Sequence, residues 1–320
     1  MICRSGVVDP YYNLALEQYL LESVEDTVIL YLWQNENTVV IGRNQNPWKE
    51  CRTALLEQEG GRLARRLSGG GAVFHDLGNL NFTFLMPQRA YDLNRQLSVI
   101  ETALRSLGIQ AERSGRNDIL ADGRKFSGNA FYQNGRQAYH HGTLLVDVDM
   151  EKLSRYLSPS KAKLTSKGVD SVRSRVVNLK ELRPELTLGA LEEALERAFA
   201  AIYAQPLRRL DPARLDQTAI GALAERNRSW QWLYGRQIPF ALSCEERFAW
   251  GTVQLELAVE NGHIGQVRVY SDAMDWQLAP RLEEALRGCR LSREALEARL
   301  CGGVPEIAGD LLRLLCEKVL

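Results

Sequence analysis

The chain has 320 residues, 45% of them hydrophobic, and its 40 basic residues balance its 40 acidic residues. This composition is that of an ordinary globular protein, and a net charge of zero provides no overall field that would attract nucleic acid or an anionic membrane. The six cysteines have no CxxC spacing and the apolar runs are too short to span a membrane, so we expect a soluble cytoplasmic protein without a disulfide framework or a zinc site.

The first hundred residues contain both helical and strand patterns. Apolar residues at helical spacing predict a helix over 12–22, and two apolar runs predict strands over 28–33 and 38–42. Pro47 suits the first turn of a helix that we expect to reach about Gln58. A strand over 81–86 and an amphipathic helix over 92–107 follow, and Gly108 ends that helix.

The middle of the chain predicts hairpins and a long loop. Residues 111–147 have the pattern of a β-meander, in which Asp122-Gly123 and Asn134-Gly135 are two-residue hairpin turns. Residues 158–180 are basic and lack periodicity, which predicts a long loop of the kind that is often functional. Helices are predicted over 188–203 and 212–227.

A second part of the chain begins near residue 244. Strands over 248–259 and 263–270, joined by Asn261-Gly262, precede three helices over 281–287, 293–300 and 307–319. We therefore predict two domains, 1–243 and 244–320. Helices mixed with hairpins, without strict βαβ alternation, predict an α+β fold with mixed, largely antiparallel sheets flanked by helices, and a small α+β C-terminal domain.

The most informative segment is the run RRLSGGGAVFHD over residues 65–76. Three consecutive glycines can adopt a positive φ and expose backbone N–H groups, so a ligand can lie against the main chain while arginines face an anion. This favours a loop that binds phosphate or carboxylate, with a flexible hairpin tip as the alternative. Arg65 faces the anion or forms a surface salt bridge. The chain lacks the GxxxxGK[ST], GxGxxG, GxSxG and HExxH motifs.

Several segments in this order closely resemble the lipoate–protein ligases, in their long bacterial form with a C-terminal accessory domain. The matching runs are TVVIGRNQNPWKE (38–50), RRLSGGGAVFHDLGN (65–79), ND (117–118), DGRKFSG (122–128), HHGTLL (140–145), KGVDSVRSRVVNL (167–179) and ERFAWG (246–251). The resemblance covers nearly the whole chain, and it implies a biotin/lipoate ligase-like catalytic domain over 1–243.

The resemblance implies a two-step ligation. Lipoate and ATP would give lipoyl-AMP and pyrophosphate, and the lipoyl group would pass to a lysine ε-amine. The implied cofactors are ATP and Mg²⁺, with (R)-lipoate as the substrate. The implied acceptors are lipoyl domains of the E2 subunits of 2-oxoacid dehydrogenases and the glycine cleavage H protein, bound transiently by a monomer. Nucleic acid and membranes are not expected as partners, and the preference between lipoate and octanoate stays open.

The resemblance also implies the roles of individual residues. Lys125 is the expected catalytic residue, because an ammonium group can bridge the lipoyl carboxyl and the phosphate. The residues expected to contact ATP or the adenylate are Arg66, Gly71, Ala72, Val73, Phe74, Asn117, Asp118, Lys125, His141, Lys167, Ser171 and Arg173. Those expected to contact lipoate are Ser68, Gly69, Gly70, Gly71, His75, Lys125 and Gly128. Asp118 is the candidate Mg²⁺ ligand, and an ion pair with Arg116 or Lys125 is its alternative.

Three other functions remain open at this point. An ATP-independent lipoyl or octanoyl transferase of the same superfamily would use a cysteine nucleophile where it forms an acyl-enzyme, and no cysteine here lies in a motif. Biotin ligase is related by fold, but its glycine- and arginine-rich loop is different. A non-catalytic lipoate-binding protein is the third, and Lys125 together with the basic loop argues against it.

Overall fold

The computed structural model describes residues 1–115, 117–157, 176–204, 206–234, 242–260 and 262–319. These residues divide into two compact units. The first unit comprises Met1–Val40, Cys51–Ala64 and Val73–Ser229, and the second comprises Ile41–Glu50, Arg65–Ala72 and Trp230–Leu320. Two segments of the second unit thus lie far upstream of residue 243, and the domain boundary expected there stays a prediction.

The first unit contains the long sheet of the molecule. The strands up to residue 229 are β1 (Ile2–Arg4), β2 (Ile29–Trp33), β3 (Thr38–Ile41), β4 (Arg62–Arg65), β5 (Val73–His75), β6 (Asn79–Pro87), β7 (Glu112–Ser114), β8 (Asp118–Ala121), β9 (Arg124–Gln133), β10 (Gln137–Leu145) and β11 (Arg209–Leu210). Eight of them form a sheet in the order β11-β1-β2-β6-β10-β9-β8-β7, and β4-β3-β5 form a smaller one. Strand β1 pairs in parallel with β2 and β11, whereas the pairs from β2 to β7 are antiparallel.

Helices lie between these strands in the chain. They are α1 (Pro10–Ser23), α2 (Pro47–Glu50), α3 (Thr53–Gln58), α4 (Leu93–Ser106), α5 (Met150–Tyr156), α6 (Leu179–Leu182), α7 (Leu188–Tyr203) and α8 (Gln217–Arg228), with 3₁₀ turns at Gln88–Ala90 and Pro212–Arg214. Asp9 and Asp92 cap α1 and α4 by accepting from backbone N–H groups of the first turn. Gly108 follows α4 at a φ of +77°, as the predicted end of that helix requires.

Strand β6 illustrates why the long sheet has two different faces. Alternate residues point to opposite faces of a strand, and Leu80, Phe82 and Phe84 belong to an apolar core with residues of α4 and α7. Burial of each such side chain contributes about 1.5–3 kcal/mol. Asn79, Asn81 and Thr83 alternate with them and are also buried. One face therefore forms the core, and the other carries buried polar groups.

The second unit has a smaller sheet covered by helices. Its elements after residue 229 are α9 (Trp230–Tyr234), β12 (Leu242–Phe248), β13 (Gly251–Glu260), β14 (His263–Ser271), α10 (Leu278–Leu286), α11 (Arg293–Gly303) and α12 (Ala308–Lys318). The order is β12-β13-β14, with antiparallel pairing throughout. Val253, Leu255 and Leu257 of β13 pack with apolar residues of the three long helices. Both units thus confirm the predicted α+β class.

Several predicted elements need correction. The helix expected from Pro47 to Gln58 is interrupted at Cys51, which forms an isolated bridge with Leu157, while the Arg52 N–H donates to the Tyr156 carbonyl. The helix expected over 212–227 begins only at Gln217, after a 3₁₀ turn. Strand β12 was not predicted, and residues 179–180 lie in α6 rather than in a loop. Of the other residues of that predicted loop, Val176 forms an isolated bridge with Lys125 and Asn178 is the N-cap of α6, while 158–175 lie outside the described residues.

The two hairpin turns of the meander differ. Asp122 and Gly123 both have positive φ, at 51° and 68°, as expected for a two-residue turn between β8 and β9. At the second turn only Gly135 has a positive φ, and three residues separate β9 from β10. The Asn134 side chain accepts from the Arg136 and Gln137 N–H groups there, so an Asx turn replaces the predicted two-residue turn.

Candidate functional site

The polar face of the long sheet runs across β6, β10 and β9. In the strand register Asn81 is opposite Thr143, and Thr83 is opposite His141. His141 is in turn opposite Ala130 of β9. These polar side chains are buried or nearly so, and a buried polar group is costly unless it has a partner. The face is therefore either a hydrogen-bonded internal layer or a site for a polar ligand.

Lys125 lies at the β9 end of this face and forms an ion pair. Its Nζ is 2.8 Å from Oδ1 of Asp118 on β8, and the two side chains are 34% and 36% exposed. The hairpin turn at Asp122-Gly123 and a register shift between Ile119 and Leu120 bring the two residues together. This is the second of the two alternatives that the sequence left open for Asp118. A pair this exposed is worth at most about 1 kcal/mol, so the ammonium can exchange its partner for another anion.

Gly128 provides the space that the Lys125 side chain occupies. A Cβ at position 128 would lie 3.1 Å from Lys125 Nζ and 3.2 Å from its Cε. The Gly128 N–H donates to Thr143 Oγ1 at 3.2 Å, which ties β9 to the polar residues of β10. Lys125, Asp118, Gly128 and Thr143 therefore form one cluster, defined here as the lysine cluster.

Glu17 of α1 is a buried carboxylate that the sequence analysis missed. Its Oε1 is 2.9 Å from His141 Nδ1 and accepts from Thr83 Oγ1 at 2.7 Å. Thr83 Oγ1 also accepts from Trp33 Nε1 at 3.0 Å. The network contacts the His141 ring at Nδ1 and links α1 to three strands. No local signal in the sequence distinguishes Glu17 from a solvated helix residue, because its partners lie 66 and 124 positions away.

We expect Glu17→Ala to lower the free energy of unfolding by about 2–4 kcal/mol, because His141 and Thr83 lose a shared acceptor inside the protein. Glu17→Gln keeps one acceptor oxygen and should cost about half as much. Chemical denaturation measures both changes. Glu193→Ala is the control, since its carboxylate forms an exposed pair with Arg197, and an equal loss in that variant would contradict a special role for Glu17.

His140 and His141 point to opposite faces of the long sheet, as the alternation along a strand predicts. Its ring lies between the side-chain amides of Gln96 and Asn129, at 3.0 and 2.8 Å. Complete burial, and then the neighbouring His141, lower the pKa of His140 to about 3, so this ring is neutral near pH 7. Asn129 also donates from its backbone and side chain to the carbonyl of Asn117. His140 thus supports the turn that contains Asn117 and leads to Asp118.

The glycine loop, residues Arg65–Ala72, belongs to the second unit. The Arg66 guanidinium donates to Ser68 Oγ and to the carbonyls of Gly69 and Gly71, at 2.7–3.1 Å. The loop therefore winds around this side chain. Gly70 has a φ of +86°, a conformation that residues with a Cβ rarely adopt.

Arg65 is not the surface residue that one of the two sequence interpretations expected. It is only 2% exposed, and its guanidinium donates to five backbone carbonyls. The acceptors are the carbonyls of Gly42, Arg43, Gln45, Trp232 and Leu233, at 2.5–3.1 Å. The Trp232 indole N–H returns a hydrogen bond to the Arg65 carbonyl. Arg65 thus joins three segments of the second unit.

The remaining predicted site residues are distributed between the two units. Val73, Phe74 and His75 form β5 of the first unit; Phe74 packs on Tyr156, and His75 Nδ1 is 3.2 Å from Asn35 Nδ2. Gly71 and Ala72 belong to the second unit. Lys167, Ser171 and Arg173 lie outside the described residues.

Two negative findings apply to the described ranges alone. Within them, three or more His, Cys, Asp or Glu side chains never converge in a way that could hold a metal ion. None of the helices there combines the length and apolar character that a membrane span needs.

Comparison with known proteins assigns the family. Residues 9–200 match the model of the lipoyl protein ligase A/B catalytic domain, and residues 237–306 match that of the bacterial lipoate protein ligase C-terminus. LipL1 of P. falciparum, solved in complex with lipoate, is 28% identical, with a TM-score of 0.87 over 98% of this chain and 99% of that chain.

Two further solved structures share the fold. A bi-partite lipoate protein ligase from Thermoplasma acidophilum, described with its E2 lipoyl domain, is 24% identical with a TM-score of 0.67, over 75% of this chain and 98% of that one. A lipoate-protein ligase A bound with ATP is also 24% identical, with a TM-score of 0.63 over 72% and 95% of the two chains. The catalytic-domain match covers more than half of the 320 residues, and the chain therefore belongs to the lipoyl protein ligase A/B family.

Proposed function

We propose that this member of the family is an ATP-dependent lipoate–protein ligase that acts through lipoyl-AMP. The lysine cluster is the observation that carries the proposal. It presents the ammonium group of a lysine side chain that is one-third exposed, beside a glycine that leaves it room, on a sheet face lined with polar groups. The related proteins solved with lipoate and with ATP support these two compounds as the ligands.

The first step forms an acyl–phosphate bond. A carboxylate oxygen of lipoate attacks the α-phosphorus of ATP, and the bond to the bridging oxygen breaks to release pyrophosphate. Two anions approach each other in this step and charge develops on the phosphate, so a fixed cation lowers the barrier. We assign that role to Lys125, whose ammonium would leave Asp118 Oδ1 for the phosphate and acyl oxygens.

The second step transfers the acyl group. The neutral ε-amine of an acceptor lysine attacks the carbonyl carbon of the mixed anhydride, AMP leaves, and the amine loses a proton as the amide forms. The acceptor is a lipoyl domain, as the T. acidophilum pair of ligase and E2 lipoyl domain supports. We propose a transient complex, because recognition of one lysine-bearing hairpin needs a small interface, and we propose that the ligase acts as a monomer.

Asp118 is the residue that would hold Mg²⁺. One carboxylate suits this ion, which usually keeps several waters and takes its other ligands from phosphates. When bound, Mg²⁺ supplies additional charge neutralisation at the phosphates. The Asp118 carboxylate would then exchange Lys125 for the metal ion.

The glycine loop of the second unit is proposed as the element that offers main-chain N–H groups to the ligands. Since three of its own groups already accept from Arg66, we propose that Arg66 shapes the loop. Gly71, where a Cβ would have nothing within 4 Å, has the open space that close approach of a ligand requires.

The cysteines argue against a transferase that uses an acyl-cysteine. All six lie within the described ranges, and none is part of the lysine cluster. Burial raises the pKa of Cys3 and Cys51 to about 12 and that of Cys244 to about 11. A thiol with such a pKa is scarcely ionised near pH 7 and is a poor nucleophile.

A pyrophosphate-release assay tests the proposal. The wild-type protein with lipoate, ATP and Mg²⁺ should release pyrophosphate and form lipoyl-AMP, and addition of a lipoyl domain should give an acylated acceptor in the mass spectrum. Octanoate in place of lipoate measures the acyl preference. Acylation from a carrier protein without ATP would instead identify a transferase, and lipoate binding without pyrophosphate release would identify a non-catalytic binding protein.

A further inference from the structure

The glycine loop has one of its main-chain partners in the C-terminal part of the second unit. The Gly70 N–H donates to the Ala273 carbonyl at 3.0 Å. A Cβ at Gly69 would lie 2.4 Å from that same carbonyl oxygen and 2.8 Å from the Met274 oxygen, distances that real Cβ atoms do not tolerate. The loop is therefore packed directly against the turn that follows β14, defined here as the 271–276 turn.

A second segment completes the support of the loop. The Arg43 N–H donates to the Ser68 carbonyl at 2.8 Å, and the Ser271 N–H donates to the Asn44 carbonyl at 3.0 Å. Asn44 Nδ2 donates in turn to the Trp276 carbonyl at 2.8 Å. Residues 42–45 thus connect the glycine loop to both ends of the 271–276 turn.

The Ser271 side chain joins the 271–276 turn to strand β13. Its hydroxyl donates to the Thr252 carbonyl of β13 at 2.7 Å and accepts from the Ala273 N–H at 3.0 Å. Both bonds orient the peptide groups that place the Ala273 carbonyl. The Ser271 hydroxyl is bonded to β13 and to the Ala273 N–H, and the Ala273 carbonyl in turn accepts from the Gly70 N–H of the loop.

We propose that Ser271 is a positioning residue for the glycine loop, acting through the Ala273 carbonyl on Gly70. The conformation in which the loop meets its ligand is then set by the C-terminal sheet. The identity of that ligand, lipoate with ATP, rests on the proposed function. The placement of the loop by Ser271 does not depend on the proposed function, so the placement and the function can be tested separately.

Hydrogen exchange of the apo protein tests the placement. In Ser271→Ala, we expect the amides of residues 66–72, with Gly70 at their centre, to exchange about tenfold faster, because the hydrogen bonds that orient the acceptor of the Gly70 N–H are lost. Exchange in β6 and β10 should not change. Ser271→Thr keeps the hydroxyl and should restore protection, and Gly309→Ala is the control, as its Cβ would meet nothing within 4 Å.

Kinetics with lipoate and ATP test the consequence. Ser271→Ala should raise KM for lipoate about tenfold while kcat changes less than threefold, and Ser271→Thr should restore KM. If Ser271→Ala does not fold, Asn44→Ala tests the same support, because it removes the donor to the Trp276 carbonyl.

Three results would overturn the proposal. They are unchanged exchange at 66–72, faster exchange throughout the protein, and a fall in kcat with an unchanged KM. If the wild-type protein releases no pyrophosphate, the proposed function fails, and the exchange measurement still decides whether Ser271 positions the loop.

Discussion

Lys125→Ala should reduce the rate of pyrophosphate release from lipoate and ATP by at least about a hundredfold, while the protein stays folded. The expected loss follows from removal of the cation at the place where charge develops on the phosphate. Stability should change by about 1 kcal/mol or less, because the pair with Asp118 is partly exposed. Lys125→Arg keeps the charge but not the compact ammonium, and it should recover only part of the rate.

Lys180→Ala is the matched control for this experiment. Lys180 Nζ is 2.8 Å from Asp147 Oδ2, in an exposed pair of the same kind, and no role in ligand binding is proposed for it. Its rate should stay within about twofold of the wild type. A Lys125→Ala variant that forms lipoyl-AMP at the normal rate would remove Lys125 from the mechanism.

Arg65→Met should lower the free energy of unfolding by about 3–4 kcal/mol. The substitution leaves the carbonyls of five residues without their donor in a buried place, and methionine cannot replace any of these bonds. Because those carbonyls belong to two segments that Arg65 joins to the glycine loop, the variant should also bind lipoate more weakly. Thermal and chemical denaturation, with a titration of lipoate, measure the two effects.

Arg313→Met provides the comparison for Arg65. Arg313 is half exposed, pairs with Glu246 at 3.0 Å and lies over the Phe248 ring. Its replacement should cost no more than about 1 kcal/mol and leave lipoate affinity unchanged. Equal stability of Arg65→Met and the wild type would contradict the structural role derived from the hydrogen bonds.

The parts of the fold that are determined by residues close together in the sequence were predictable. Helix α7 has the predicted bounds, and the Asp122-Gly123 turn adopts the predicted positive φ values. Predictions failed where distant contacts decide the conformation. The helix after Pro47 stops where Cys51 bridges to Leu157. Strand β12 was missed because its charged and half-exposed residues lack a clear apolar alternation.

The candidate site was predictable only as a set of motifs. Lys125, Asp118 and Gly128 stand close together in the sequence and lie in one cluster, because a hairpin joins them. Glu17 and Ser271 were not predicted, since each acts through residues of other elements. The glycine loop was recognised by its composition, but its membership of the second unit depends on hydrogen bonds across some 200 residues, such as that from Gly70 to Ala273.

The second unit is built from three separate stretches of the chain, and this has a consequence for recombination between related genes and for engineering. Residues 41–50 and 65–72 are encoded within the stretch that supplies the long sheet, yet they are complete only with residues after 229. A recombination event with one crossover near position 230 would combine a loop from one parent with a supporting turn from the other. Functional chimaeras should therefore exchange all three stretches together.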